Sequence, residues 1–162
     1  NLVDEIRSLL KNPTDVKQGL SKLLKEHQAL AKELEGFKKE KASGAAGDLV
    51  REIIDINGTK VLTARVDLDA GEIRNLIFQL IKKHNNHIVA LASVQGSKVL
   101  MSIGVGEEVV TNKVASAKDL IKLASIHIQG GGGGQDNFAT AGGSNADGIE
   151  KAFELIKTKI LD

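Results

Sequence analysis

Five consecutive glycines, Gly130 to Gly134, followed by Gln135-Asp136-Asn137-Phe138-Ala139-Thr140-Ala141-Gly142-Gly143, are the residues of this chain best placed to do chemistry. That chemistry belongs to bare backbone. Glycine loses more conformational freedom on ordering than any other residue and has no side chain to bury, so a run of it is not packing material. Successive glycine N–H groups can form an anion-binding concavity and let a nucleic-acid backbone approach without steric cost. The candidate nucleic-acid-binding set is therefore Gly130, Gly131, Gly132, Gly133, Gly134, Gln135, Asn137, Gly142 and Gly143. Lys118 and Lys122 upstream and Lys151 downstream could supply charge. His127 stands just before the run, where its imidazole could donate to a phosphate or a base edge.

Other chemistries fit the sequence poorly. A P-loop needs a lysine followed by serine or threonine after its last glycine, and no suitable glycine has one. Gly104-Val105-Gly106-Glu107-Glu108-Val109 begins like a dinucleotide fingerprint but lacks the third glycine and sets two carboxylates where a pyrophosphate would lie. His84 and His87 are close in sequence. Without cysteine or a carboxylate partner they make a poor zinc site and are expected as solvent-exposed turn histidines. Acidic residues do not converge, serines lack a recognisable elbow, and no catalytic residue is expected.

Composition narrows the partners. The chain carries 22 basic and 21 acidic residues, a net charge of +1, so any RNA binding must be local rather than a global attraction. Tyrosine and tryptophan are absent and phenylalanine occurs four times, which argues against a single-strand binder that stacks bases on aromatic platforms. Without cysteine there are no disulfides and nothing suggests secretion. No apolar run approaches the roughly 20 residues that span a bilayer, so a cytoplasmic home and no membrane partner are expected. The chain opens on Asn1 and reads as part of something longer.

The positioning elements follow from hydrophobic period. Leu2, Ile6 and Leu9, then Val16, Leu20, Leu23, His27, Leu30, Leu34 and Phe37, mark a heptad seam. It predicts helices over 2–11 and 13–42, with Asn12 or Thr14 as cap and Pro13 in the first turn. The seam is too narrow to stand alone. The first helix folding back would cover part of it, and a second copy of the chain would cover Val16, Leu20, Leu23, Leu30, Leu34 and Phe37. His27 is the polar member of the seam and is expected to keep its imidazole edge in water. Ala42 to Gly47 reads as a linker, dividing a helical, coiled-coil-like subdomain, 1–43, from a globular domain, 44–162.

Past the linker the period becomes two. Strands at 48–56 and 61–68 flank the hairpin signal Asn57-Gly58. Asp69 with Glu72 forms a capping box for a helix whose apolar face is Ile73, Leu76, Ile77, Leu80 and Ile81. A buried strand at 88–94, a Gly96-Ser97 turn and a strand at 98–103 make a second hairpin. Helices are expected over 114–128 and, past the glycine loop and a short strand, again after Ser144 or Asn145, burying Ile149, Ala152, Phe153, Ile156 and Ile160. The fold class is α/β: a mixed sheet with helices packed on it, with a glycine-rich loop at 130–134, preceded by an N-terminal helical hairpin.

A glycine cluster, a few polar residues, Ala139-Thr140-Ala141-Gly142-Gly143 and a last amphipathic helix resemble the C-terminal domain of alanyl-tRNA synthetases, which is shared with DHH-family phosphoesterases. The family pattern has Arg-Pro where this chain has Gln135-Asp136. The resemblance covers the whole chain, including the helical stretch with Pro13 and Lys32-Glu33-Leu34-Glu35. It implies a non-catalytic domain that binds the outer corner of tRNA-Ala, supports cooperation between aminoacylation and editing domains of the parent synthetase, and forms a homodimer. The parent enzyme, an alanine–tRNA ligase, is implied to use ATP, magnesium and zinc, and this part to hold no cofactor. The alternative is the substrate-binding half of a DHH-type phosphoesterase acting on short nucleic acids. The long helical segment before the globular part favours the synthetase.

Overall fold

The computed structural model describes residues 2–10, 15–49 and 53–162. Two units divide the chain, Asn1–Lys41 and Ala42–Asp162. In the first, helix α1 covers Leu2–Leu9, and helix α2 begins at Val16 and continues to Leu49. The expected caps Asn12 and Thr14, and Pro13, lie outside the described residues. Asp15 does the capping, its Oδ1 accepting from the N–H groups of Lys17 at 2.8 Å and Gln18 at 3.4 Å. No residue of α1 is buried. Along α2 the seam stays open: Leu20, Leu23, Leu30, Leu34 and Phe37 are each about half or more exposed, and Val16 is intermediate.

Two expectations at the junction are corrected. Residues 42–47 do not break the helix, which runs through them to Leu49. Three of these six residues are alanine, the best helix former, and a helix already nucleated upstream propagates through them despite the cost of two glycines. The first strand accordingly starts late, as β1, Ile54–Ile56, and the second, β2, occupies Thr59–Arg65. Asn57 and Gly58 take φ values of +54° and +84° between them, the left-handed pair that a tight two-residue hairpin requires.

Helix α3, Ala70–Lys83, has its capping box: Asp69 Oδ1 accepts from Glu72 N and Glu72 Oε2 accepts from Asp69 N, both at 2.8 Å. It crosses from β2 to β3, His87–Gln95, which lies parallel to β2. Strand β4, Lys98–Val105, returns antiparallel through the Gly96-Ser97 turn. A short helix α4, Glu107–Thr111, then precedes α5, Ala117–His127. Next come strand β5, Gly131–Gly134, strand β6, Phe138–Gly143, a 3-10 turn at Ala146–Gly148 and helix α6, Ile149–Leu161. The sheet order is β1-β2-β3-β4-β6-β5, mixed as expected.

The sheet separates two cores. On one face, Ile88, Ala90, Met101, Ile103, Ala139 and Ala141 meet α5 and α6 through Leu120, Ile121, Ala124, Phe153 and Ile156. On the other, Leu62, Val89 and Leu91 meet the predicted apolar stripe of α3. That helix lies so close that a Cβ on Gly104 would fall 2.0 Å from Ile77 Cγ2.

His87 is not the exposed turn residue expected: it opens β3 at 4% exposure. Its Nδ1 pairs with Asn86 Oδ1 at 2.8 Å and its ring stacks on His84 at 4.5 Å. Burial first, then the neighbouring charges of His84 and Lys60, lower its pKa from 6.5 to about 4. Between those values the unfolded chain binds a proton that the native state refuses, so stability falls as pH drops from 6.5 towards 4. The full effect is roughly 3 kcal/mol. Urea unfolding at pH 7 and pH 4.5 should show this loss, and His87→Gln should flatten most of the slope.

Candidate nucleic-acid interface

The glycine run is not a loop: Gly131–Gly134 is the edge strand β5, paired antiparallel with β6. Low strand propensity gives no hint of this, and tertiary contact overrides it. Cβ atoms on Gly132 and Gly134 would stand 2.1 Å from Thr140 O and 2.4 Å from Phe138 O, and one on Gly130 would stand 1.9 Å from Gly142 O. These three glycines let two backbones meet closer than any side chain permits. Gly143 performs the same service beside Ile128 O, where an added Cβ would fall at 2.3 Å.

Gly131 and Gly133 differ. A Cβ on either would meet nothing within 4 Å, and neither has a positive φ. On Gly142 it would meet only Val99 O, at 4.0 Å. The fold does not require glycine at these three positions. Pairing places them on one face, the face that α3 partly covers: Gly131 is opposite Gly142, and Gly133 opposite Thr140. The result is a strip of sheet bare but for Thr140, a surface to which another backbone can come close.

Beside the strip runs a ridge of α3 that the sequence reading missed. Ala70, Arg74, Phe78 and Lys82 recur every four residues and so share a helix face. Phe78 stacks on Phe138 of β6 with centroids 5.1 Å apart, and the Arg74 guanidinium lies 5.1 Å and 5.0 Å from the two ring centroids. An arginine held beside two rings by this attraction is positioned in advance to meet a phosphate or a base. Arg74 has no ion-pair partner among the described residues. The four-residue spacing was visible in the sequence, but its contact with β6 depends on a strand about 60 residues away, a separation that periodicity does not report.

The remaining candidates disperse. Gln135 and Asn137 sit in the β5–β6 turn, where Gln135 N donates to Phe138 O at 2.8 Å and Asn137 O accepts from Val105 N at 2.9 Å. Lys118 reaches that turn but is paired: its Nζ lies 2.9 Å from Asp136 Oδ1, which also accepts from Ser116 Oγ at 2.9 Å. The Lys118 bond, followed by that of Ser116, lowers the Asp136 pKa, and the same Lys118–Asp136 bond raises that of the lysine. Lys118, Gly134, Gln135, Phe78 and Lys82 line one open cleft of about 980 Å3. Lys122 is exposed on α5, away from that lining. His127 ends α5, where its carbonyl accepts from Asn145 Nδ2 at 3.0 Å. Asn145 thus ties down the end of α5 instead of capping the last helix.

This fold and motif define a class: the chain belongs to the DHHA1 domain family, whose model matches residues 58–162. More particularly, it is 37% identical over 160 residues to an alanine–tRNA ligase of Christiangramia forsetii, covering 99% of this chain and 18% of that protein. It is 34% identical over 155 residues to the alanine–tRNA ligase of Bacteroides thetaiotaomicron, covering 95% of this chain and again 18% of that one. Among solved structures it is similar to the C-Ala domain of Aquifex aeolicus alanyl-tRNA synthetase, with a TM-score of 0.64 and 28% identity, over 68% of this chain and 98% of that one. The resemblance read from the glycine motif therefore holds.

The two kinds of glycine separate by substitution. Gly132→Ala should destabilise the globular unit by about 2 kcal/mol or more, since the added methyl must displace backbone. Gly133→Ala should leave the melting temperature unchanged. Thermal unfolding followed by circular dichroism tests both.

Proposed function

We propose that this chain is the C-terminal tRNA-binding and dimerisation part of a cytoplasmic alanine–tRNA ligase, with tRNA-Ala as its partner and no catalytic residue of its own. The reading rests on one observation above all: Gly131, Gly133 and Gly142 are glycines that the fold does not require, gathered on one exposed strip beside Arg74. A sugar–phosphate backbone laid along the strip and over the open edge of β5 would meet the outward N–H groups of that edge without steric cost, while Arg74 and Lys82 offer charge from the α3 ridge. Contact of this kind reads shape, which suits the outer corner of a folded RNA and a chain almost free of exposed aromatic residues. Holding that corner would let one bound tRNA serve both the aminoacylation and the editing domains of the parent enzyme.

The missing Arg-Pro of the family motif has a counterpart in this reading. Asp136 takes up Lys118, so the turn itself contributes little free positive charge. Arg74, stacked against Phe138 at the other end of that turn, supplies it instead.

Dimerisation rests on the seam of α2, whose apolar residues are left unburied among the described residues. A second copy would cover them in coiled-coil fashion. Leu23→Lys with Leu30→Lys should give a monomer by light scattering, whereas the unchanged protein should weigh in as a dimer at micromolar concentration.

For RNA, Gly131→Val with Gly133→Val should lower tRNA-Ala affinity by about tenfold or more, because valine suits an edge strand yet holds a partner away from it. Arg74→Ala should weaken binding and reduce the slope of log affinity on log salt by roughly 0.7 to 0.9, one phosphate contact. Unchanged tRNA affinity in a folded Gly131→Val, Gly133→Val protein would overturn the assignment of this face.

A further inference from the structure

Pairing across four strands sets Ser93 of β3, Leu100 of β4, Gly142 of β6 and Gly131 of β5 in one row on the face that carries the strip. Where the row meets the start of α3 there is a hollow of about 460 Å3, lined by Ala70, Ser93, Leu100, Gly142 and Gly143 together with Gln95 and Lys98. Its walls are mainly apolar. Ser93, Gln95 and Lys98 are the polar members, and Ser93 is the buried one. At 3% exposure, its Oγ is the single buried side-chain polar atom among the described residues that has no hydrogen-bond partner. A buried hydroxyl left unsatisfied costs about 1 to 3 kcal/mol. Replacing it by alanine would remove that cost, so fold stability gives no reason to keep serine here.

We propose that this hollow receives a single unstacked nucleobase of the bound RNA, with Ser93 Oγ hydrogen-bonding the base edge and Lys98 meeting the adjoining phosphate. The inference rests on the RNA reading above and adds a base contact to a surface otherwise suited to backbone. An anion is the competing occupant, and the site argues against it. The N-terminus of α3 beside the hollow is already closed by its capping box, with Asp69 Oδ1 on the N–H of Glu72, so a carboxylate stands where an anion would seek donors. A planar base needs what is present: apolar walls for its faces, one hydroxyl for its edge, and a glycine wall that lets it lie against the backbone. Gly142 supplies that wall with open space where its Cβ would be. A serine hydroxyl both donates and accepts, so the hollow takes any of the four bases with little preference.

The test uses the full chain. Amide NMR titrations with the four nucleoside 5′-monophosphates should move Ala70, Ser93, Leu100, Gly142 and Gly143 saturably, with inorganic phosphate and ribose 5-phosphate leaving these signals in place. Ser93→Ala should weaken nucleotide binding by about fivefold with stability equal or higher. Gly142→Leu, which fills the hollow from a position where an added Cβ meets nothing nearer than 4.0 Å, should abolish binding in a folded protein. In tRNA-Ala binding, both variants should lose affinity without a change in salt slope, since neither removes a cationic side chain that neutralises phosphate. Equal shifts with ribose 5-phosphate would overturn the base assignment in favour of an anion site. Absence of nucleotide shifts in a chain that still binds tRNA-Ala would overturn the hollow alone. Nucleotide shifts in a chain with no tRNA affinity would uphold a nucleotide site and overturn the RNA reading beneath it.

Discussion

The approach of β5 to β6, backbone against backbone, is the constraint on which the glycine-lined end of the globular unit's sheet depends. Gly130, Gly132 and Gly134 stand where a methyl group would occupy the space of carbonyl oxygens across the pair. The opposite face of the same strand is bare at Gly131 and Gly133 without that compulsion, since a Cβ at either would meet nothing within 4 Å. One side of the strand is glycine by steric necessity, the other by no demand of the fold. The core beneath reinforces this, since Ala139 and Ala141 of β6 point to α5 and α6 while Phe138 points to α3.

Much of the fold was legible. The Asp69–Glu72 box, the apolar face of α3, both two-residue hairpins and the burial of α6 follow from local pattern, and local pattern is what sequence reports. What failed depended on distant partners. A glycine run has the propensities of a loop, and only β6 makes it a strand. Ala42 to Gly47 has the look of a linker, yet alanine carries the helix across it to Leu49. His87 seemed a turn residue because the start of a buried strand and the end of a turn look alike in one dimension.

For the site, the sequence drew attention to Gly130–Gly143 and to the lysines nearest it along the chain, and the structure rearranges which cations stand beside that stretch. Lys118 was close in sequence and is close in space, but Asp136 holds it. Arg74 was far in sequence and is adjacent through Phe138. Charge counted along a chain does not reveal which cations are already satisfied, and ring stacking between elements has no periodic signature. The row from Ser93 to Gly131 is likewise a product of topology, because β6, the last strand of the chain, inserts between β4 and β5.

That insertion has a consequence for synthesis. Strand β5 leaves the ribosome before β6, yet β6 is its sole neighbour in the sheet. A nascent chain ending at Gly134 has α3, β3 and β4 in hand but neither the ladder that straightens the glycines nor the Phe138 ring that positions Arg74. The face comes into being only when the last strand slots into place, so a protein released early by truncation lacks it altogether. Assembly order thereby reserves the surface for chains in which β6 has already been made.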